Sequence, residues 1–83
     1  MTDAEFDILD ELYFVTSYHD LSGRIELRRD ELNERLINLF NKGWVRAFKS
    51  PNDTRDFEVL NAEVLSNCYL LASKAGLKAH NSA

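Results

Sequence analysis

The sequence predicts a small α+β domain that is mostly helical. Residues 3–17 and 29–42 repeat apolar side chains every three or four positions, the spacing of one apolar face on an α-helix. Directly after the second of these segments, residues 44–49 alternate bulky and polar side chains, which is typical of a half-buried β-strand. With 83 residues, 45% of them hydrophobic, the chain is expected to form a single domain over residues 1–83.

The first helix is predicted over residues 3–17. Thr2 and Glu5 have the spacing of a capping box, in which each side chain accepts a hydrogen bond from the backbone N–H of the other residue. Acidic side chains in the first turns suit the positive end of the helix dipole. The apolar face behind them consists of Phe6, Ile8, Leu9, Leu12, Tyr13 and Val15.

A second, short helix is predicted over residues 20–25, because Leu21 and Ile25 lie four positions apart, although Gly23 weakens it. After a connector, the longest helix is predicted over Arg29–Lys42, and Gly43 follows it as a left-handed cap would require. The apolar residues of this helix are Leu32, Leu36, Leu39 and Phe40.

The C-terminal half of the chain leaves alternatives open. After the strand at 44–49, residues 50–53 form a dense turn signal, and residues 54–59 could return as a second strand. Residues 61–80 fit either one long helix capped by Asn61, or a short helical segment at 61–66, a strand at 68–72 and a final helix that begins after Ser73.

The order of these elements resembles a winged helix-turn-helix domain of the kind found in bacterial transcription regulators. The resemblance implies three helices, a two- or three-stranded wing and a short C-terminal helix, and it favours the second interpretation of residues 61–80. The segments that carry it are Ile8-Leu9-x-x-Leu12, the trio Leu21, Ile25 and Leu27, Leu32-x-x-x-Leu36-x-x-Leu39-x-x-x-Gly43-Trp44-Val45, and Tyr69-x-Leu71-Ala72-Ser73-Lys74-Ala75-Gly76-Leu77.

This resemblance implies a DNA-binding regulator that acts as a dimer or in a larger complex. In such domains the longest helix enters the major groove and the wing lies along the DNA backbone. The candidate DNA contacts are Arg28, Arg29, Asn33 and Arg35 at the helix, and Arg46, Lys49 and Arg55 at the wing.

The charges favour a second hypothesis, a protein-protein interaction module that binds no nucleic acid. Opposite the apolar face of the longest helix stand Asp30, Glu31 and Glu34, and carboxylates weaken binding to phosphates. The aromatic residues Tyr13, Phe14 and Tyr18 cannot all face one core, so some are expected at a contact. Partner binding is therefore predicted for Asp30, Glu31, Glu34, Tyr13, Phe14 and Tyr18.

Composition excludes several other classes. The net charge of -4 is uneven, because residues 1–20 hold six acidic and no basic side chains while residues 21–83 carry +2. No metal site is expected, because the spacing of Cys68, His19 and His80 is not that of metal ligands. No cofactor, catalytic residue or small-molecule substrate is expected either. The apolar runs are too short to span a membrane, and the lone cysteine and acidic N-terminus predict a cytoplasmic protein.

Overall fold

A computed structural model describes residues 1–53 and 55–82 as an α+β fold that is about half helical. Its three strands form one antiparallel sheet in the order β1-β3-β2. Along the chain the elements are α1 (Asp3–Glu11), β1 (Thr16–Ser17), α2 (Tyr18–Arg24), α3 (Arg29–Asn41), β2 (Val45–Phe48), α4 (Ala62–Leu65), β3 (Tyr69–Ala72) and α5 (Lys74–Asn81).

The prediction of a helix over residues 3–17 is wrong at its C-terminal end. The capping box of Thr2 and Glu5 is present, but α1 ends at Glu11. The carbonyl of Leu12 then accepts a hydrogen bond of 2.8 Å from the backbone N–H of Ala72. The chain leaves the helix there because Thr16 and Ser17 pair with β3 and add a third strand to the sheet.

The longest helix and the strand after it are confirmed. Apolar residues on one side of α3 are buried, and Gly43 follows the helix with a φ of 80°, a left-handed conformation that glycine adopts without steric cost. The chain continues into β2, which pairs with β3 along all four of its residues. The short second helix lies at Tyr18–Arg24, two residues earlier than residues 20–25, because Ser17 caps it.

The prediction of a second strand over residues 54–59 is wrong for residues 55–59, which form no strand. Thr54 lies outside the described residues. Asp56 makes a single bridge to Phe48, and the N–H of Phe57 donates to the carbonyl of Ala47 at 2.9 Å. The chain then turns away from the sheet edge, because Leu60 is buried in the core.

Residues 61–80 follow the second of the two interpretations. The side chain of Asn61 caps α4, a single turn, and β3 follows at Tyr69–Ala72. The hydroxyl of Ser73 accepts from the N–H of Gly76 and so caps α5. One long helix is excluded because Cys68 and the strand residues Leu70 and Ala72 are buried on the sheet.

A buried acid joins the start of α1 to the end of α3. The ammonium group of Lys42 lies 3.1 Å from Glu5 Oε2, and the N–H of Thr2 donates to Glu5 Oε1 at 3.1 Å. Burial alone raises the pKa of Glu5, but these two donors outweigh it and hold the pKa below its usual value of 4.5. The carboxylate therefore stays ionised and fixes the two helices to each other.

The first turn of α5 packs directly on the backbone that follows α3. Ser73 donates from its N–H to the carbonyl of Trp44 and from its hydroxyl to the carbonyl of Gly43. A Cβ atom at Gly76 would overlap the carbonyl oxygen of Trp44. Glycine is therefore required at position 76 for α5 to approach this closely.

Substitution of two helical glycines should have opposite effects on stability. Gly76→Ala should lower the free energy of unfolding by about 2 kcal/mol, because its methyl group overlaps fixed backbone. Gly23→Ala is the matched control. Apart from its chain neighbours and the backbone of its own helix, no atom lies within 4 Å of the added Cβ. The unfolded chain therefore loses entropy without strain, and stability should rise by about 0.5–1 kcal/mol. Urea unfolding of both variants measures the difference, and an equal loss in both would contradict the close approach.

Candidate functional site

The outward face of α3 is fixed by the residues that the helix buries. Leu32, Leu36 and Leu39 are buried in the core, so the side chains on the opposite side of the helix face solvent. We call this exposed line of side chains the α3 ridge. It consists of Asp30, Glu34, Asn38 and Asn41.

The basic residue in front of α3 is already paired with acids of the same helix. Arg28 lies 3.2 Å from Glu31 Oε1 and 3.8 Å from Asp30 Oδ1, and all three side chains are accessible to solvent. Exposed pairs of this kind contribute little to stability. They do reduce the net positive charge that Arg28 presents to a phosphate.

The side chain of Asn33 is hydrogen-bonded to another residue of the fold. The hydroxyl of Tyr18 donates a hydrogen bond to Asn33 Oδ1, and the guanidinium of Arg29 lies 5.7 Å from the centre of the Tyr18 ring. Tyr18 is only 5% exposed, so the prediction that it belongs to an exposed aromatic contact is wrong. Its ring is buried because Ser17 starts α2 there and directs Tyr18 towards α3.

Arg46 is also paired, with an acid of the segment that joins β2 to β3. Its guanidinium makes three hydrogen bonds of 2.9–3.2 Å to the Asp56 carboxylate and lies 4.9 Å from the centre of the Phe48 ring. The hydrogen bonds that Arg46 donates to Asp56 raise the pKa of Arg46. Arg46 therefore serves to hold residue 56 against the sheet edge.

The remaining basic candidates are two residues of α3, Arg29 and Arg35, and two residues beyond β2, Lys49 and Arg55. Lys49 and Arg55 are exposed, as is Arg29, and Arg35 is half-buried. Within residues 1–53 and 55–82, none of these four side chains forms an ion pair. These four side chains could therefore bind an anionic partner.

Tyr13 and Phe14, two of the aromatic residues predicted to bind a partner, differ in their surroundings. Phe14 is 83% exposed, in the loop between α1 and β1. Tyr13 is partly exposed, and its hydroxyl bonds at 2.9 Å to both His80 Nδ1 and Asn81 Oδ1, which joins this loop to the end of α5.

The burial of His80 could not be predicted from the residues next to it in the sequence. Its ring stacks on Phe6 at a centroid distance of 4.2 Å, and its Nε2 lies 3.3 Å from Asp10 Oδ1. Phe6, Asp10 and Tyr13 recur at positions i, i+4 and i+7, a spacing that could have indicated a common neighbour.

A groove of about 470 Å³ runs between α1 and the connector that follows α2. The apolar residues that line it are Ala4, Ile25 and Leu27. Its acidic lining is Asp7, Asp10, Glu11 and Glu26, and Arg24 lies 3.8 Å from Glu11. In the part of the chain that the structure describes, no group of three or more His, Cys, Asp or Glu residues could hold a metal ion.

The single cysteine is a packing residue. Cys68 is buried in the core, and burial raises the pKa of its thiol to about 11. A thiol that stays protonated at neutral pH is a poor nucleophile. Among the described helices, none is long and apolar enough to cross a membrane.

The hydrogen bond between Tyr18 and Asn33 should contribute measurably to the free energy of unfolding. Asn33→Ala should cost about 1 kcal/mol of unfolding free energy, because the Tyr18 hydroxyl loses its partner in a nearly buried position. In the background of Tyr18→Phe the same change should cost much less. A double-mutant cycle by urea unfolding tests this, and strictly additive losses would show that Asn33 is free.

Comparison of the chain with protein-family models, with curated proteins and with solved structures gives no match.

Proposed function

We propose that this chain is a winged-helix domain that works as a protein-protein interaction module in the cytoplasm. The proposed partner is a protein with a positively charged segment, which meets the α3 ridge together with Glu31. The winged-helix assignment is supported by the order of the elements, with a helix on each side of the β1 strand, α3 leading into β2, and a sheet ordered β1-β3-β2.

The observation that carries the proposal is the charge of the outward face of α3. Asp30 and Glu34 lie on the ridge, and the ridge contains no Lys or Arg. Binding to duplex DNA gains most of its affinity from cations that replace counterions at phosphates, and carboxylates on the same face oppose it. A basic segment of a partner protein has the complementary charge.

The pairing of the basic candidates supports the same proposal. Arg28 and Arg46, which could have offset the acids of α3, are held by acids of this chain. Asn33, which could have read a base edge, accepts from Tyr18 instead. The seven residues predicted to contact DNA thus include three that have partners within the fold.

The second candidate is a DNA-binding regulator, and the unpaired cations favour it. Arg29, Arg35, Lys49 and Arg55 have no ion pair within the described residues and could anchor phosphates. Binding of this kind would be independent of sequence and would weaken steeply with salt.

One titration separates the two candidates. A fluorescent oligo-arginine peptide and a random-sequence DNA duplex are each titrated with the protein at about 50 and 200 mM salt, and anisotropy is measured. We expect the peptide to bind and the duplex not to bind. Asp30→Asn/Glu34→Gln should weaken peptide binding by about threefold to tenfold, because two exposed charge pairs are lost.

The control variant is Glu58→Gln/Glu63→Gln, which removes the same charge from exposed positions outside α3. It should bind the peptide as the unchanged protein does. An equal loss in both variants would show that only the net charge matters. Duplex binding that falls steeply between the two salt concentrations would establish the DNA-binding regulator instead.

A further inference from the structure

Two adjoining hollows lie beside the start of α2. The first, of about 270 Å³, is bounded by α2 and the beginning of α3, and the second, of about 290 Å³, by α2 and the beginning of β3. Tyr18, His19 and Ser66 line both of them, so the two hollows form one cleft. We call it the Tyr18 cleft.

The charge of the Tyr18 cleft comes from Arg29, at the wall of the first hollow. Its guanidinium lies 5.7 Å from the centre of the Tyr18 ring. Arg29 forms no ion pair within residues 1–53 and 55–82, and none of the described residues that line the cleft is an Asp or Glu. The complementary ligand group is therefore an anion, and the planar guanidinium pairs especially well with a carboxylate.

The serine side chains of the first hollow can accept hydrogen bonds but have no proton left to donate. Ser22 donates its hydroxyl proton to the carbonyl of His19 at 2.8 Å, and Ser66 donates to the carbonyl of Glu63 at 2.9 Å. A ligand that fits here brings its own donor next to its anionic group. The last residue of a polypeptide has both, because its N–H and its carboxylate are attached to the same Cα atom.

The first hollow also has an apolar side and a limited size. Leu27, Leu32 and the ring of Tyr18 line it. Its volume lies just below the range of about 300–1,000 Å³ that is typical of pockets for whole drug-sized molecules. The hollow therefore suits a single residue with an apolar side chain.

The second hollow continues the cleft with groups that suit a peptide backbone. Ser17, Asn67 and Tyr69 are among the residues that line it. The hydroxyl of Ser17 accepts from the N–H of Asp20 at 3.1 Å and donates to no described residue, so its proton can bind a peptide carbonyl. A ligand longer than one residue can thus extend from the first hollow into the second.

We propose that the Tyr18 cleft binds the free C-terminus of a partner protein. The terminal carboxylate meets Arg29, and the N–H of the last residue donates to Ser22 or Ser66. The side chain of that residue lies against the apolar side of the first hollow, and the preceding residue occupies the second. Capture of a terminal carboxylate is a recurring mode of peptide recognition.

The occupant of the Tyr18 cleft differs from the partner proposed for α3. It presents a negative group to Arg29, whereas the partner of the α3 ridge is positively charged. The cleft also contains none of the ridge residues and not Glu31. The inference therefore stands or fails separately from the proposed function.

Three probes without basic side chains test the proposal by NMR titration of isotope-labelled protein. They are N-acetyl-Ala-Ser-Ala-Leu with a free carboxylate, the same peptide with a C-terminal amide, and free leucine. The acid peptide should bind, with the largest amide shifts at His19, Ser22, Arg29 and Ser66. The amide should bind roughly tenfold or more weakly because the charged hydrogen bonds are lost. Free leucine should also bind more weakly, because it leaves the second hollow empty.

Three variants test the roles of the residues, with circular dichroism to show an unchanged fold. Arg29→Gln should weaken binding of the acid peptide roughly tenfold or more, and Ser22→Ala roughly threefold, since the first loses charged and the second neutral hydrogen bonds. Arg35→Gln is the matched control, because it removes the same charge from α3 at a residue that does not line the cleft. It should bind the peptide as the unchanged protein does.

Four outcomes would overturn the proposal. They are no binding of the acid peptide, equal binding of the acid and the amide, free leucine that binds as tightly as the peptide, and an equal loss of binding in Arg29→Gln and Arg35→Gln. The third of these would identify a pocket for a single amino acid in place of a site for a protein terminus.

Discussion

Burial of Leu32, Leu36 and Leu39 determines which side chains the longest helix can present to a partner. Burial of each leucine stabilises the fold by about 1.5–3 kcal/mol. A rotation of α3 about its axis would expose these leucines, and the free energy lost would exceed what an exposed charge pair contributes. Asp30 and Glu34 are therefore held in solvent by the core. The charge of the outward face is therefore a property of the fold.

Ion pairs within the chain divide its surface into regions of different charge. Arg46 is neutralised by Asp56 and Arg28 by the acids of α3, while Lys49 and Arg55 remain free in the described part of the chain. In α1 and α5, Asp3, Asp7, Lys74 and Lys78 form no ion pair with any described residue. A net charge of -4 describes none of these regions.

Local signals predicted most of the elements, and tertiary contacts decided the rest. The capping box at Thr2, the glycine after α3 and the serine before α5 each act within a few residues, so their positions could be predicted from the chain alone. The end of α1 could not, because it depends on a hydrogen bond between Leu12 and Ala72, sixty positions apart. The same holds for the site, where the partners of Asn33 and Arg46 are Tyr18 and Asp56.

The central claim is that the outward face of α3 is the surface that a positively charged partner contacts. Backbone amide chemical shifts of isotope-labelled protein, recorded by NMR during a titration with an oligo-arginine peptide, test it residue by residue. The largest shifts should cluster at Asp30, Glu31, Glu34 and Asn38. If the largest shifts lay on α1, with the α3 ridge unchanged, the claim would be contradicted.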